Sequence, residues 1–273
     1  MNSPLVQPRL ADAALSTGVR LQYAVSGAPG GRAVLFLHGY TDSWFSYSLV
    51  LPHLSPSFRA VAVSQRGHGD SERPECCYNM ADLAADAVAL LDALDVAKAT
   101  VVGHSMGSFI AQRVAIDHPE RVERLVLIGS ALNAANEGIV GLNDYVQTLT
   151  DPVPREFIHE FQASTIHAPV PDGFLDAVVD ESAKLPARVW RDALTGLVGS
   201  DHAGRLGEIQ APTLVLWGDR DSIFARAEQD LLVETIPDAR LVVYPETGHG
   251  LHWERPERFA RDLADFIRHP GQP

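Results

Sequence analysis

Continuous runs of apolar residues recur along the first half of this chain and are separated by segments with helical periodicity. Residues 33–37, 60–63, 99–102 and 125–128 form such runs. A run without polar alternation is typical of a parallel strand that is covered on both faces. Residues 19–25 instead alternate apolar and polar positions, as a half-buried strand does. The pattern therefore predicts several strands of one sheet.

Helices are predicted between these strands. Asn79 can cap a helix that runs from about Met80 to Leu94, and a second helix is predicted from Ser108 to Asp117. Strands that alternate with helices are the sequence signature of a doubly wound parallel sheet. The fold class is therefore predicted to be α/β.

The same alternation resumes near the C-terminus. Apolar strands are predicted at 213–217 and 241–244, with a helix near 226–234 between them. A final helix opens at Pro256, and one of its faces is apolar. The residues of that face are Phe259, Leu263, Phe266 and Ile267. Their spacing indicates that this helix packs on the sheet.

Residues 131–205 interrupt the alternation, because no strand-like run occurs there. Three prolines in this segment each precede a helical pattern, as proline does at the start of a helix. They are Pro154, Pro171 and Pro186. Open α/β sheets bind ligands at the carboxyl ends of their strands, and a short apolar helical insertion must pack on something. We therefore expect residues 131–205 to form a helical cap on a core made of residues 1–130 and 206–273.

Composition and charge narrow the function classes. The chain has 273 residues, of which 46% are hydrophobic, so it can bury the core of one large α/β domain. Lys and Arg number 22 against 35 Asp and Glu, a net charge of −13 without acidic runs. This balance argues against nucleic acid or an anionic membrane as the partner. A small-molecule substrate is the expected partner, and the oligomeric state stays open.

The cysteines and the N-terminus bear on the compartment. Cys76 and Cys77 are adjacent, so they cannot form the usual loop-closing disulfide or a metal cluster. Residues 1–8 lack a basic segment followed by an apolar one, and no apolar run approaches the length that spans a membrane. We therefore expect a cytoplasmic protein that uses no metal and no other cofactor.

The candidate chemistry centres on the pentapeptide Gly103-His104-Ser105-Met106-Gly107, which lies between a predicted strand and a predicted helix. In that setting the pattern G-x-S-x-G marks a nucleophile elbow. A serine hydroxyl becomes a nucleophile when it is exposed beside a base, and the flanking glycines let the strand and helix approach closely. Ser105 is therefore the predicted nucleophile.

An acid and a base are expected later in the chain, in that order. Gly218-Asp219-Arg220-Asp221 follows one predicted strand, and Thr247-Gly248-His249-Gly250 follows the next. Both loops lie at the carboxyl ends of strands, on the same edge as Ser105. Asp219 and Asp221 compete for the role of the acid. His104, expected to point into the sheet, and His252, expected to pack under the loop, compete with His249.

Together these segments resemble the α/β-hydrolase fold family, and His38-Gly39-Tyr40 and Arg66-Gly67-His68-Gly69-Asp70-Ser71 strengthen the resemblance. It implies a mostly parallel eight-stranded sheet with helices on both faces and a helical cap. It also implies that Asp221, the last position of the family pattern Gly-x-x-Asp, is the acid and that His249 is the base. The oxyanion hole then comes from the backbone N–H groups of Tyr40 and Met106.

The chain departs from the family pattern at one point. Ser64-Gln65-Arg66-Gly67 stands where the family often has Asp-x-Arg-Gly, so any role of that aspartate is absent. We expect His68 and Asp70 to be structural and Arg66 to lie near the entrance of the cleft. Three aromatic residues could line an apolar substrate site, although each could equally belong to the core. They are Trp44, Phe161 and Trp190.

A serine nucleophile predicts acyl transfer through a tetrahedral intermediate and an acyl-enzyme. The first expectation is a serine hydrolase that cleaves a carboxylic ester or lactone of a small to medium apolar substrate. The alternative is hydrolysis of a carbon–carbon bond in a diketone formed by aromatic ring cleavage, or a perhydrolase-type activity. A small-ligand receptor on the same fold is the non-enzyme alternative. Haloalkane dehalogenases and epoxide hydrolases are excluded, because they use aspartate at the nucleophile position.

Overall fold

The computed structural model describes residues 8–269, and its eight strands form one sheet. The strands are β1 (Arg9–Ala14), β2 (Arg20–Gly27), β3 (Arg32–Leu37), β4 (Phe58–Val63), β5 (Ala99–His104), β6 (Val122–Ile128), β7 (Thr213–Gly218) and β8 (Ala239–Tyr244). Their order across the sheet is β1-β2-β4-β3-β5-β6-β7-β8. Only β2 runs antiparallel to its neighbours β1 and β4, and all other pairs are parallel. The predicted eight-stranded, mostly parallel α/β sheet is confirmed.

Helices cover both faces of the sheet. Those outside the segment between β6 and β7 are α1 (Met80–Ala93), α2 (Met106–Asp117), α7 (Arg226–Thr235), α8 (Leu251–Glu254) and α9 (Pro256–Arg268). In β3 the side chains alternate between the faces: Leu35 and Leu37 join the cluster with α1 and α2, whereas Phe36 joins the cluster with α9. A strand that is buried on both faces needs apolar residues at every position, and this explains the continuous runs.

Local signals in the sequence set several element boundaries. The side chain of Asn79 accepts hydrogen bonds from the backbone N–H groups of Ala81 and Asp82, so it caps α1 as predicted. Pro256 opens α9. The periodicity did not reveal β1, because every residue of this strand is exposed or only partly buried. Its pairing with β2 rests on backbone hydrogen bonds, which leave no hydrophobic pattern in the sequence.

Four helices lie between β6 and β7: α3 (Glu137–Val146), α4 (Arg155–Ala163), α5 (Phe174–Ala183) and α6 (Ala187–Val198). Pro154 and Pro186 directly precede α4 and α6, while Pro171 lies further upstream of α5. Helix α3 was not predicted, and its cap is Asn136, which accepts from the N–H of Ile139. Helices α4, α5 and α6 pack on the loop after β3, through the rings of Tyr40 and Phe45. The division at residues 131 and 205 stays our prediction.

Two further features concern the expectations about cysteine and membranes. The structure joins Cys76 to Cys77 by a disulfide, which closes no longer loop because the residues are adjacent. Both side chains are exposed. Within residues 8–269 no helix combines the length and the apolar character that crossing a membrane requires.

Candidate active site

Ser105 stands at a sharp turn between β5 and α2. Its backbone has φ 51° and ψ −121°, in the region that side chains other than glycine rarely adopt. A Cβ on Gly103 would lie 2.2 Å from the carbonyl oxygen of Gly107, and a Cβ on Gly107 would lie 2.2 Å from that of Leu37. Both glycines are therefore needed for the close approach of strand and helix. Ser105 is partly exposed at this turn.

Asp221 and His249 form a buried hydrogen-bonded pair. His249 Nδ1 lies 2.8 Å from Asp221 Oδ2, and their side chains are 1% and 0% exposed. The other carboxylate oxygen of Asp221 accepts from the N–H groups of Ile223 and Phe224, at 2.8 and 3.1 Å. The carboxylate therefore has a fixed orientation, and it holds the His249 proton on Nδ1. In the part of the chain that the structure describes, His249 Nε2 has no hydrogen-bond partner, so its lone pair is available.

Gly129, which sequence reasoning missed, joins the serine turn to this pair. Its φ is 52°, and a Cβ there would lie 2.7 Å from Cε1 of His249 and 3.3 Å from Oδ2 of Asp221. The preceding residue, Ile128, accepts a hydrogen bond of 2.9 Å from the N–H of Ser105. The end of β6 therefore touches both the serine turn and the histidine. The only signal in the sequence was a glycine directly after a predicted strand.

The competing acid and histidines lie elsewhere. Asp219 Oδ1 lies 3.8 Å from Arg220 Nε, and no histidine is among its hydrogen-bond partners within residues 8–269. His104 is 2% exposed, and its Nε2–H donates to the carbonyl oxygen of His249 at 3.2 Å. His252 is fully buried and bonds Ser46 Oγ through Nε2 at 3.1 Å. His104 and His252 thus support the loop that carries His249.

The two expected oxyanion donors lie on rigid backbone. Met106 is the first residue of α2, so its N–H has no acceptor within the helix. Tyr40 lies two residues after His38. The Nδ1–H of His38 donates to the carbonyl oxygen of Gly39 at 2.8 Å, and its Nε2 accepts from the N–H of Gln65 at 3.0 Å. The Tyr40 hydroxyl donates to the carbonyl oxygen of Trp190 at 2.6 Å. These bonds fix the loop after β3 against both the core and α6.

A buried carboxylate in the same loop was also missed. Asp42 is 3% exposed, and its two oxygens accept from Gln162 Nε2 at 3.1 Å and from Ser46 Oγ at 3.3 Å. Burial raises the pKa of Asp42 to about 7, against the opposing effect of these hydrogen bonds. Gln162 belongs to α4 and also donates to Ser182 at 2.9 Å. The loop of Tyr40 is therefore tied to two helices of the insertion.

Glu254 forms a second connection between the core and the insertion, and the sequence did not reveal it. Its carboxylate is buried and accepts from the N–H of Gly248 at 3.0 and 3.1 Å. It also accepts from the N–H groups of His167 and Ala168, at 3.1 and 2.7 Å. One side chain therefore joins the loop of His249 to the segment after α4.

The structure corrects the expected place of Arg66. Its guanidinium is buried and donates twice to Asp86, with Nε–Oδ2 at 2.6 Å and Nη2–Oδ1 at 2.7 Å. Arg66 is 6% exposed and Asp86 is 2% exposed, so this ion pair lies in the core and not at the entrance of a cleft. His68 is buried too, and burial lowers its pKa to about 4. Ser64, where the family often has aspartate, accepts from the N–H of Trp44 at 3.1 Å.

The three aromatic pocket candidates occupy different places. Phe161 lines a cavity of about 420 Å³ between α3, α4 and the residues after Asp221. Trp190 is 0% exposed and packs edge-on against the rings of Tyr40 and Phe161, so it supports the wall from behind. Trp44 packs against the cluster on the α9 side of the sheet. Its ring also lies edge to face against Phe45, 5.9 Å away, and it does not line the cavity of Phe161.

Comparison with known proteins agrees with this fold. A sequence model of the alpha/beta hydrolase fold matches residues 32–256. The chain is 32% identical to the 2-hydroxymuconate semialdehyde hydrolase of Pseudomonas sp. (strain CF600), over 98% of this chain and 97% of that protein. It is 31% identical to the 2-hydroxy-6-oxononadienedioate/2-hydroxy-6-oxononatrienedioate hydrolase of Paraburkholderia xenovorans (strain LB400), over 92% and 91%.

Solved structures of the same fold are similar in three dimensions. An esterase from Exiguobacterium antarcticum has a TM-score of 0.86 at 21% identity, covering 94% of this chain and 99% of that chain. The enol-lactonase from Burkholderia xenovorans LB400 has a TM-score of 0.77 at 23% identity, covering 95% and 100%. At this level of identity the likeness concerns the fold. The chain belongs to the α/β-hydrolase fold family and is a hydrolase.

Proposed function

We propose that this hydrolase cleaves a carbon–carbon bond next to a ketone, in a diketone of the kind that aromatic ring cleavage produces. The observation that carries the chemistry is the buried Asp221–His249 pair of 2.8 Å, with an unpartnered Nε2, beside the Ser105 turn. The choice of bond is supported by the two relatives at 32% and 31% identity, whose names specify hydrolases of semialdehyde and oxo-dienedioate compounds.

In the proposed reaction His249 Nε2 takes the proton of the Ser105 hydroxyl, and Ser105 Oγ attacks the ketone carbon. The N–H groups of Tyr40 and Met106 bind the oxyanion that forms. The carbon–carbon bond then breaks, and the leaving carbon takes the proton from His249. Water, activated by the same imidazole, releases the acyl group from the serine as a carboxylic acid. One water is consumed, and Asp221 stabilises the imidazolium in each half-reaction.

Ester or lactone hydrolysis, the first expectation from the sequence, becomes the second candidate. The same residues perform it, because only the leaving atom differs. Cytoplasmic location and the absence of a cofactor stay predictions from the sequence.

A substrate panel tests the proposal. Purified protein is incubated with a ring-cleavage diketone, a short p-nitrophenyl ester and a lactone, and each rate is compared with that of Ser105→Ala. We expect kcat/KM for the diketone to exceed that for the ester, and we expect both activities to vanish in the variant. A diketone rate equal to that of Ser105→Ala, together with fast ester cleavage, would make the protein an esterase. Binding without turnover of any compound would instead support a receptor.

A further inference from the structure

Asp42 is a buried carboxylate that lies two residues after the proposed oxyanion donor Tyr40. It is 3% exposed, and within residues 8–269 no Lys or Arg forms an ion pair with it. A carboxylate without a cation is costly to bury, so hydrogen bonds must compensate for the water that it loses. The reaction steps proposed above do not use this group.

The hydrogen-bonding side chains around this carboxylate are donors. Gln162 Nε2 of α4 donates to Oδ1 at 3.1 Å, and Ser46 Oγ donates to Oδ2 at 3.3 Å. Ser46 Oγ in turn accepts from Trp253 Nε1 at 3.0 Å and from His252 Nε2 at 3.1 Å, which leaves its own hydrogen for Asp42. These partners suit the ionised carboxylate, because a protonated one would replace an acceptor by a donor. Burial opposes them and raises the pKa of Asp42 to about 7, so its charge changes near neutral pH.

The ionised carboxylate joins the loop of Tyr40 to the insertion. The backbone N–H of Asp42 donates to the carbonyl oxygen of Gly39 at 3.3 Å, which closes a turn around Tyr40. The side chain of Asp42 then bonds Gln162, whose Nε2 also donates to Ser182 Oγ of α5 at 2.9 Å. The N–H of Tyr40 therefore belongs to a turn that Asp42 fixes to two helices of the insertion.

Asp42 also lies near the proposed base without touching it. A Cβ on Gly39 would lie 2.9 Å from His104 Nδ1 and 3.1 Å from Asp42 Oδ2, so the imidazole and the carboxylate border the same glycine. The centroid of the His104 ring lies 4.8 Å from that of the His249 ring. The imidazolium of His249 favours the ionised form of Asp42. Because this attraction is mutual, the Asp42 carboxylate stabilises the imidazolium.

The other titratable side chains around Asp42 carry no charge at neutral pH. They are Tyr47, His104 and His252. Burial lowers the pKa of both histidines, to about 3 for His252, and raises the pKa of the tyrosine well above 10. Helix α4 contributes the neutral amide of Gln162. The positive charge that His249 gains during the reaction therefore faces Asp221 at 2.8 Å and Asp42 at longer range.

We propose that Asp42 is a positioning residue of this active site and that it acts as a carboxylate. In that form it holds the turn of Tyr40 against α4 and stabilises the imidazolium of His249. Both effects weaken when Asp42 takes up a proton, so acyl transfer slows on the acid side of neutral pH. The inference rests on the proposed roles of Ser105, His249 and Tyr40. It goes beyond the proposed function, because it holds for a diketone and for an ester.

The pH dependence of kcat/KM tests the proposal, because it reports the groups that titrate in the free enzyme. Asp42→Asn removes a titrating carboxyl, so the acid limb of the profile should move to lower pH by about half a pH unit or more. Gln162→Leu removes a donor that favours the ionised carboxylate, so Asp42 gains its proton at higher pH and the limb should move up. A purely structural role would lower activity by the same factor at every pH and would move neither limb.

The size of the effect should also depend on pH. Asp42→Asn should lower kcat/KM by about tenfold at pH 8.5, where the wild type carries the carboxylate. At pH 5.5 the wild type carries a neutral carboxyl at this position, so the difference should narrow to about threefold or less. A difference that stays constant between these pH values would contradict the proposal.

Glu156→Gln is the matched control for the change in charge. Glu156 is an exposed carboxylate on α4, the helix that carries Gln162, and its loss should leave the profile unchanged. Circular dichroism and urea unfolding show whether each variant is folded, and if one of the two test variants is not, the shift of the other decides. An acid limb that stays in place in folded Asp42→Asn, or that does not move up in folded Gln162→Leu, would overturn the proposal.

The outcome can be separated from that of the proposed function. The assay uses whichever diketone or ester the wild type cleaves, so a diketone that does not react overturns the carbon–carbon function and leaves this test in place. If no compound is cleaved, the rate at which a fluorophosphonate probe modifies Ser105 replaces kcat/KM, because that reaction needs the same base and oxyanion donors. A wild type that reacts with neither the substrates nor the probe would overturn both proposals.

Discussion

Replacing Asp221 by asparagine is the sharpest test of the proposed acid. The amide has nearly the shape of the carboxylate, and its orientation is fixed by the protein. The N–H groups of Ile223 and Phe224 donate to one oxygen, at 2.8 and 3.1 Å, and so they keep the amide oxygen on their side. The amide nitrogen must then face His249 Nδ1, in the place of the carboxylate oxygen Oδ2 that accepts the Nδ1 proton in the wild type. A donor in that place turns Nδ1 into an acceptor and moves the imidazole proton to Nε2.

This reversed tautomer cannot take the proton of Ser105. In a triad of known mechanism the same exchange lowers kcat by about 10⁴, which corresponds to about 5 kcal/mol of transition-state stabilisation. The free energy of unfolding should change little, because the two backbone bonds to the remaining oxygen survive. Asp221→Ala, in contrast, leaves two N–H groups without their acceptor, and it should cost about 1–3 kcal/mol in stability for each buried one.

The assay is single-substrate kinetics on the preferred diketone and on a p-nitrophenyl ester, with urea unfolding of each variant as the check on folding. Asp219→Asn is the matched control on the same loop, since Asp219 is hydrogen-bonded to no histidine in the described part of the chain. We expect its kcat to stay within about threefold of the wild type. The reasoning is refuted if Asp221→Asn keeps more than a tenth of wild-type kcat, or if Asp219→Asn loses as much.

Three further predictions concern the surroundings of the site. Gly129→Ala places a Cβ 2.7 Å from the His249 ring, so kcat should fall by about 10² in steady-state assays; wild-type kcat would show that the loop adjusts freely. Glu254→Ala removes the acceptor of Gly248 and two other N–H groups, so urea unfolding should show a loss of about 3 kcal/mol, and a loss below 1 kcal/mol would contradict this bridging role. Burial lowers the pKa of His252 from 6.5 to about 3, so stability present above pH 6.5 is lost as the pH falls toward 3. Urea unfolding at pH 7.5 and pH 5 measures this loss of unfolding free energy. The loss should be about 2 kcal/mol smaller in His252→Gln than in the wild type, and equal losses in the two proteins would contradict the prediction.

Much of the fold could be predicted from local pattern. The continuous apolar runs located the parallel strands, and Asn79 and Pro256 marked the starts of two helices. These features are local, because burial on both faces and helix capping each leave their mark within a few residues. Strand β1 left no such mark, since each of its residues is exposed or only partly buried. Helix α3 was missed as well, because only two of its residues are buried.

Less of the site could be predicted. The order of Ser105, Asp221 and His249 could be read from the sequence, whereas Gly129 left only the weak signal of a glycine directly after a predicted strand, and Glu254 left none. Each acts through a contact between segments far apart in the chain, which periodicity does not record. The same holds for Trp44, which packs against the cluster that contains α9 and does not line the cavity of Phe161.

The sequence by itself determined the α/β class, the strained serine turn and the set of residues that could perform acyl chemistry, because these depend on residue type and on neighbours in the chain. Only the tertiary structure decided which aspartate meets His249, and which of the aromatic candidates lines a cavity. Hydrogen bonds of 2.8 Å and the lining of a cavity depend on how distant loops and helices pack. That packing follows from the whole chain and from no single segment of it.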